Sequence, residues 1–379
     1  MSALLDSVPL TTRRADLRQL SDILQRQQTH KRDIVANAAT LRAEQGRIVI
    51  PDVEAMISDS GVTRIDGSYQ PTALADAGIG EKLGIPVPYL RKLRTNAVEL
   101  YDANVNGWLT RSSDRNFLLR CLSDGEGGGI ARAFLSDGYR IIENFDVLVA
   151  VLRGIKDSGM SVQIDADLTE RSMVMRVHSE EIKSLAPDLL RNYRSPFTGA
   201  TGADNPTVFA GFVVRNSETG CGAFTLTPRA VVQVCANGLT FGQDAMRSVH
   251  LGVRLDEGVI RWRRDTRQAN LDLVTKQARD AVSAFLDVEY VAAKLREIEA
   301  KAGHKIDDPD NAIRIVAHQL RFTEDERRQV LNHFIDGGDR SAGGVMQAVT
   351  SAAQTQADGD AAYDMEALGL KALDLAARL

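Results

Sequence analysis

The sequence predicts an α+β protein in which an antiparallel, β-hairpin-rich sheet is packed by a long helix, with helical N- and C-terminal regions. The hairpin is predicted at residues 208–217 and 223–234, where side chains alternate with the period of two that is typical of strands. The long helix is predicted at residues 266–301, where apolar residues recur at spacings of three and four and form a heptad stripe. Helical patterns before and after these elements also agree with the α+β class.

The N-terminal part of the chain combines helical and mixed patterns. A helix is expected over residues 17–45, where apolar residues recur at helical spacing. Residues 72–94 predict a helical hairpin with a turn near Gly84, and its spacing is similar to that of a helix-turn-helix motif. Pro86 and Pro88 stand where a DNA-reading helix would begin. An ordinary hairpin packed on the core is therefore the favoured interpretation.

Further strands and a helix are expected before the long hairpin. Alternating or continuous apolar runs bounded by turn residues indicate the strands, and an apolar stripe indicates the helix. The strands are predicted at residues 116–124, 129–135, 160–164 and 171–178, and the helix at residues 144–156.

Three regions are expected along the chain. Residues 1–110 form the helical and mixed N-terminal region, residues 111–302 the α+β core, and residues 303–379 a helical C-terminal region. The Ala- and Gln-rich stretch after residue 344 is expected to be weakly ordered. Residues 357–379 hold five acidic and two basic side chains. This acidic segment is expected to bind a protein partner or to cover a basic groove.

Composition narrows the class of protein. Of the 379 residues, 26% are charged and the formal net charge is −5, which excludes a uniformly basic surface but not local basic stripes. Cys121, Cys221 and Cys235 form no CxxC pair, which favours a reducing compartment. The longest apolar runs are too short to span a bilayer. These observations predict a cytoplasmic protein without membrane contact.

The sequence offers no convincing catalytic set. The glycine-rich residues 125–129 lack the GK[ST] ending of a phosphate-binding loop, and the histidines lack metal-ligand spacing. Asp165, Asp167 and Glu170 are interpreted as a solvated turn rather than a nuclease centre. Cys235 lies in an apolar context that favours an inert core thiol. We therefore expect no enzyme activity, no cofactor and no metal.

Arginine and aromatic residues provide the strongest functional pattern. Residues 247–267 contain six arginines, and the RWRR run at residues 261–264 places guanidinium groups on both sides of an indole. Arginines can pair with phosphates while an aromatic ring stacks on a base, which is how single strands are held without reading sequence. Structural arginines paired with nearby acids are an equally weighted alternative. The candidate nucleic-acid-binding residues are Arg132, Tyr139, Arg140, Arg215, Arg229, Arg261, Trp262, Arg263 and Arg264.

Four sequence blocks resemble a known family. The segments ARAFLSDGYRIIENFDVL (131–148), VVRNSETGCGAFTL (213–226), VVQVCANGL (231–239) and IGEKLGIPVPYLRKL (79–93) are similar to blocks of the phage- and plasmid-borne DUF932 group. The resemblance covers roughly residues 72–290, and it departs from the common pattern at Gly138, where arginine is frequent. That group remotely resembles the Rad52/RecT-type single-strand annealing proteins.

The remote resemblance implies a β-β-β-α core, assembly into a homo-oligomer, and annealing without ATP. The expected function is therefore binding and annealing of single-stranded DNA in phage or mobile-element recombination. An exonuclease or a single-strand-binding protein is the expected partner, through the acidic C-terminal helix. Two alternatives remain open: an oligomeric scaffold that does not bind DNA and works through the heptad helix, and a cryptic metal-dependent nuclease.

Overall fold

The protein has an α+β fold, as the sequence predicts. The computed structural model describes residues 8–51, 56–58, 61–63, 67–125, 127–139, 141–248 and 264–379. The strands are β1 (Thr12–Asp16), β2 (Lys31–Asn37), β3 (Arg42–Glu44), β4 (Arg47–Ile50), β5 (Met56–Ser58), β6 (Gly61–Thr63), β7 (Gly67–Pro71), β8 (Asn116–Ser123), β9 (Gly128–Ser136), β10 (Gln163–Leu168), β11 (Met173–Leu185), β12 (Thr207–Asn216), β13 (Phe224–Val232), β14 (Asn237–Thr240) and β15 (Met246–Ser248).

Helices cover the seven-stranded and six-stranded sheets and form most of the C-terminal region, while β5 and β6 make a separate two-stranded sheet. They are α1 (Leu17–His30), α2 (Ala73–Leu83), α3 (Val87–Asn96), α4 (Val98–Arg111), α5 (Asn144–Ser158), α6 (Pro187–Leu190), α7 (Arg264–Phe285), α8 (Val288–Ala302), α9 (Pro309–Leu320), α10 (Glu324–Gly337), α11 (Ala342–Ala353), α12 (Gly359–Glu366) and α13 (Gly369–Ala376). Within the described ranges, no helix is both long and apolar enough to cross a lipid bilayer.

The larger sheet has seven strands in the order β1-β10-β11-β12-β13-β14, with β15 also paired to β13. The β12–β13 hairpin confirms the hairpin predicted from alternation, and Val208 pairs with Val232 at its open end. Alternate residues of these strands, such as Phe212 and Leu226, are fully buried. They pack against α1, α5 and α7 in one hydrophobic core. The opposite face of this large sheet carries polar and charged residues.

The smaller sheet has six strands in the order β2-β8-β9-β7-β4-β3, and β7 and β9 are the parallel pair. Helices α2, α3 and α4 pack on it. The predicted helical hairpin is confirmed: α2 ends at Gly84 in the left-handed region (φ 71°), and α3 starts after Pro86. Leu90 and Leu93 of α3 are buried in the core of this small sheet. The hairpin therefore uses its apolar side for packing.

Two predicted elements are wrong in extent. The helix expected over residues 17–45 ends at His30, and Lys31–Asn37 continue as β2, paired along its whole length with β8. Pairing with β8 buries Ile34, so tertiary contacts override the local helical composition. The strand expected at residues 160–164 instead runs from Gln163 to Leu168.

The predicted long helix is divided in two. α7 ends at Phe285, and α8 starts at Val288 after Asp287, whose carboxylate accepts a hydrogen bond from the backbone N–H of Tyr290 at 2.8 Å. This N-cap begins a new helix although no glycine or proline interrupts the sequence. The heptad stripe continues across the break because both helices bury their apolar side in the same core, through residues such as Val282 and Val291.

The Ala- and Gln-rich stretch is also better ordered than expected. It forms α11, and all twelve residues of this helix are buried. Small side chains allow α11 to pack closely between α10, α13 and α8. The prediction that the segment after residue 344 is weakly ordered is therefore wrong. Helix α11 lies at the centre of the C-terminal region.

Candidate functional site

Within the described residues, two of the buried or half-buried clusters of charged side chains contain predicted site residues. The first, which we call the junction network, connects the two sheets. Its acids and bases are Lys31 and Asp33 of β2, Arg120 of β8, Arg132 of β9, Glu143 before α5, and Glu218 after β12. Three bases face three acids, so the network is formally neutral. Buried charges are tolerated when each is paired with an opposite charge, as in this network.

Arg120 is the centre of the junction network. Its side chain is 1% exposed. The guanidinium donates to Asp33 Oδ1 at 2.9 Å, to both carboxylate oxygens of Glu143 at 2.9 Å, and to the backbone carbonyl of Glu218 at 2.7 Å. One buried side chain therefore ties the small sheet to α5 and to the turn after β12.

Glu218 closes the network from the large sheet. It accepts from Arg132 Nη2 at 2.6 Å and from the backbone N–H of Asn144 at 2.9 Å. Burial by itself would raise the pKa of Glu218, but Arg132 and Arg120 outweigh it and hold that pKa well below its usual range. The side chain of Asn216 donates to Asn144 Oδ1 at 2.8 Å. The NSE and IIEN segments of the sequence therefore meet at this junction.

A pH-dependent stability is expected from Glu143. Burial raises the pKa of Glu143 from 4.5 to about 7 against the opposing charge of Arg120. The folded protein therefore binds more protons than the unfolded chain between these values, and the resulting stabilisation is lost as the pH rises through 7. Relative to Glu143→Gln, the wild type should lose about 2–3 kcal/mol of unfolding free energy between about pH 5 and pH 8.

Urea denaturation of both proteins across that pH range measures this difference. All other groups are shared by the two proteins, so their contribution cancels in the comparison. A difference between wild type and Glu143→Gln that stays constant with pH would show that Glu143 does not titrate in this window.

The second cluster lies on the polar face of the large sheet. Strand alternation directs Arg176 of β11, Arg215 of β12 and Arg229 of β13 to this face, away from the apolar core. Arg13 and Arg14 of β1 join them. We call these five residues the arginine face.

Carboxylates from α12 pair with two members of the arginine face. Arg229 donates from Nε and Nη2 to the two oxygens of Glu366 at 2.8 and 2.9 Å. Arg215 donates to Asp360 at 3.1 Å and to Asp364 at 3.0 Å. Burial opposes ionisation of Glu366, but Arg229 and Arg176 outweigh it and lower its pKa. The acidic C-terminal segment thus contacts the protein's own basic surface.

Carboxylates of β10 pair with two further members. Arg176 Nη1 donates to Asp167 at 2.7 Å and to Asp165 at 3.2 Å, and Arg13 also bonds Asp167. Asp167 is fully buried on β10, so the interpretation of Asp165 and Asp167 as a solvated turn is wrong. The strand continues through them because the register with β11 pairs Asp165 with Arg176 and Asp167 with Val174.

A cavity of about 240 Å³ opens between the arginine face and the ends of α11 and α12. Four of the five arginines line it, and Arg215 is the member outside it. His178 and Gln354 are further polar lining residues, and Val231 with three alanines forms an apolar wall. Burial, followed by the charge of Arg229, lowers the pKa of His178. The cavity therefore combines cationic donors with a neutral imidazole.

The predicted nucleic-acid-binding residues divide between the two clusters. Arg215 and Arg229 lie together on the arginine face, whereas Arg132 belongs to the junction network. Tyr139 is half-buried near that junction, and its hydroxyl donates to the carbonyl of Ser217 at 3.3 Å. Arg264 is the first residue of α7. The other predicted residues, Arg140, Arg261, Trp262 and Arg263, lie outside the described residues.

Arg132 and Arg229 are 6% and 5% exposed and paired with carboxylates. A phosphate can take the place of the carboxylate at either guanidinium only after Glu218 or Glu366 has moved away, whereas Nη1 of Arg229 takes no part in the pair with Glu366. The alternative interpretation, arginines paired with acids, therefore describes their contacts, although the acids lie far away in sequence rather than nearby.

Sequence reasoning missed three members of the arginine face: Arg13, Arg14 and Arg176. One available signal was the position of Arg176 in MVMRVH, where a single arginine interrupts an otherwise apolar strand at an alternating position. The pairing of β1 with β10, which brings Arg13 and Arg14 to the same face, has no local signal.

The remaining candidate chemistries have plain structural explanations. Cys235 is buried, and burial raises its pKa to about 12, which agrees with an inert thiol. The glycine-rich residues 125–129 include the turn that joins β8 to β9, where the N–H of Gly128 donates to Asp124 at 3.0 Å. Among the residues with described positions, no group of three or more His, Cys, Asp or Glu side chains is arranged to hold a metal ion.

No protein-family model, curated protein or solved structure matches the chain.

Proposed function

We propose that this protein binds single-stranded DNA and promotes the annealing of complementary strands without ATP, with the arginine face as its main backbone-binding surface. The annealing part of this proposal rests on the resemblance of the sequence blocks to the DUF932 group and, more remotely, to Rad52/RecT-type annealing proteins. The strand-binding part rests on the side chains of the arginine face.

One observation carries the proposal. Arg215 and Arg229 project from adjacent strands and are held by three carboxylates of α12. A guanidinium group presents the same fork of N–H donors to a carboxylate and to a phosphate. We infer that phosphates of a bound strand would replace these carboxylates of α12 at Arg215 and Arg229.

The edge of the arginine face is accessible to a strand. Arg171 is exposed in the turn between β10 and β11, and its backbone carbonyl accepts a hydrogen bond from the hydroxyl of Thr219 at 3.2 Å. The ring of Tyr363 lies 5.0 Å from the Arg215 guanidinium carbon. Arg171, Arg215 and Tyr363 supply two cations and an aromatic ring, the combination used to hold single strands.

The double variant Arg171→Gln/Arg215→Gln is expected to weaken binding of a labelled single strand by about tenfold. Each phosphate contact that is lost should also reduce the slope of log Kd against log salt by about 0.7, so the double variant should lose about 1.4. Fluorescence anisotropy over a salt series measures both quantities.

A matched control removes two charges elsewhere. Arg296 on α8 and Arg314 on α9 are described with bonds only within their own helices, to the Ala292 carbonyl and to Asn311. Arg296→Gln/Arg314→Gln should therefore keep the wild-type affinity and nearly the wild-type salt slope. Equal affinity and slope in the wild type and the Arg171/Arg215 variant would remove the arginine face from the proposal.

Annealing has its own test. Two complementary oligonucleotides labelled with a donor and an acceptor should anneal faster with the protein than without it, in the absence of any nucleotide. The Arg171→Gln/Arg215→Gln variant should lose most of this acceleration. Tight strand binding without acceleration would retain DNA binding and reject annealing.

A further inference from the structure

The cavity beside the arginine face has the properties of a ligand site. Arg13, Arg14, Arg176 and Arg229 line it, and the carboxylates among its lining residues are Asp165 and Glu366. Cationic side chains thus outnumber anionic ones even when the adjoining Asp167 is included. A cavity with excess positive charge favours an anionic ligand.

Several guanidinium donors have no partner among the described residues. Arg176 uses only Nη1 in its bonds to Asp165 and Asp167, and Arg229 uses only Nε and Nη2 in its bonds to Glu366. These side chains are only 7% and 5% exposed. Donors that the protein leaves unbonded at a cavity are normally satisfied by water or by a ligand. Nε and Nη2 of Arg176 and Nη1 of Arg229 are therefore available to a ligand in this cavity.

Two lining residues have a strained backbone. Arg14 and Ala236 have φ values of 48° and 54°, and they are two of the four non-glycine residues with positive φ in the described part of the chain. Alanine has no polar side chain to compensate for this conformation, which costs on the order of 1 kcal/mol. Such strain is concentrated at ligand-binding positions.

A β-bulge aims the arginines of β1. The register of β1 with β10 shifts between Thr12 and Ala15, and Arg13 and Arg14 are the residues in between. A bulge releases a strand from strict alternation, so consecutive side chains can reach the same region. Arg13 and Arg14 both line the cavity for this reason.

The volume of the cavity limits the size of its ligand. The volume of about 240 Å³ is just below the range of about 300–1,000 Å³ typical of sites for drug-sized ligands. The ligand is therefore small, with an anionic end for the arginines and a less polar part for Val231 and the alanines.

We propose that this cavity binds a phosphate monoester, with Arg14, Arg176 and Arg229 as donors to the phosphate and the Val231 side as the wall for the esterified group. Guanidinium forks match phosphate oxygens, and a terminal phosphate has more free oxygens and charge than a phosphodiester. The phosphate belongs either to the end of a DNA strand or to a free nucleotide. The site differs from the strand-binding edge at Arg171 and Arg215, which lie outside the cavity lining.

Isothermal titration calorimetry of the full chain with thymidine 5′-monophosphate, thymidine and inorganic phosphate tests the proposal. The monophosphate should bind at least about tenfold more tightly than thymidine, and inorganic phosphate should compete with it. Equal binding of monophosphate and thymidine, or no heat from the monophosphate at about millimolar concentration, would overturn the proposal.

Two variants locate the binding in the cavity. Arg14→Asn removes a donor at an exposed position where asparagine tolerates positive φ, so the fold should be kept while the monophosphate binds about tenfold more weakly. Ala362→Leu fills the cavity without changing charge and should block binding. Arg296→Gln is the control with unchanged binding. Wild-type affinity in both Arg14→Asn and Ala362→Leu would place the ligand elsewhere and reject this site.

A third comparison identifies the source of the phosphate. If a 5′-phosphorylated oligonucleotide binds about tenfold more tightly than its 5′-hydroxyl counterpart, the cavity holds the end of a strand. If the two oligonucleotides bind equally while the monophosphate binds in the cavity, the ligand is a free nucleotide. Binding of the monophosphate without any oligonucleotide binding would support the cavity and reject the proposed strand binding.

Discussion

Replacement of Arg120 by methionine is expected to destabilise the protein by about 3–5 kcal/mol. Arg120 donates to Asp33, Glu143 and the carbonyl of Glu218, and its side chain is 1% exposed. Methionine fills a similar volume but leaves these acceptors in a medium where water cannot replace the lost donors. The expected loss is therefore that of an uncompensated buried charge rather than that of a surface ion pair.

Urea denaturation followed by far-UV circular dichroism measures this loss. Arg111→Met is the control, because Arg111 is exposed on α4 and contacts the ring of Trp108 from 5.6 Å. That variant should change the unfolding free energy by less than about 1 kcal/mol. If Arg120→Met were no less stable than Arg111→Met, the junction network would contribute no net stability.

Arg229→Met should also destabilise the protein by about 3–5 kcal/mol, and Arg229→Met/Glu366→Met should recover most of that loss. The single variant leaves Glu366, which is 4% exposed, with Thr240 as its remaining side-chain donor. The double variant removes both charges and replaces them with apolar volume. A double-mutant cycle with Glu366→Met therefore measures the energy of the pair.

The packing of Arg229 gives a second measurement of the same contact. Its Nε would lie 2.0 Å from a Cβ added at Gly238, so Gly238→Ala must displace the guanidinium from its position. This variant should lower stability in the wild type and much less in Arg229→Met/Glu366→Met. Equal losses in both backgrounds would show that Gly238 is required by the backbone rather than by Arg229.

The sequence predicts the local elements of this fold well and its long-range pairings poorly. Alternation in β12 and β13 identifies both strands, because each buries every second residue in one core. The sequence does not predict the break at Asp287, because one apolar stripe continues through α7 and α8. The local feature that marks the break is the capping carboxylate of Asp287. The burial of α11 is missed because small residues give no periodic signal.

The candidate site is predicted only in part, because local patterns identify strand residues but not long-range contacts. Arg215 and Arg229 are found because they alternate with apolar residues in a recognisable hairpin. Their partners on α12 and their neighbours on β1 are joined to them by packing alone, which no local pattern contains. For Arg132, the sequence predicts its position in a strand but does not predict its ion pair with Glu218.

The arginine face also has a consequence for the order in which the protein folds. Arg14 bonds Gln354, which is 340 residues away in the sequence, and Arg13 bonds Asp167 at a separation of 154. Contacts between such distant segments carry the largest loop-closure entropy and form after local hairpins and helices. We therefore expect the β12–β13 hairpin to be protected from hydrogen exchange early during refolding, and the walls of the cavity to assemble last. Before the cavity walls assemble, the arginines of the large sheet are not paired with the carboxylates of α12. A polyanion that is present at this stage can bind these arginines first.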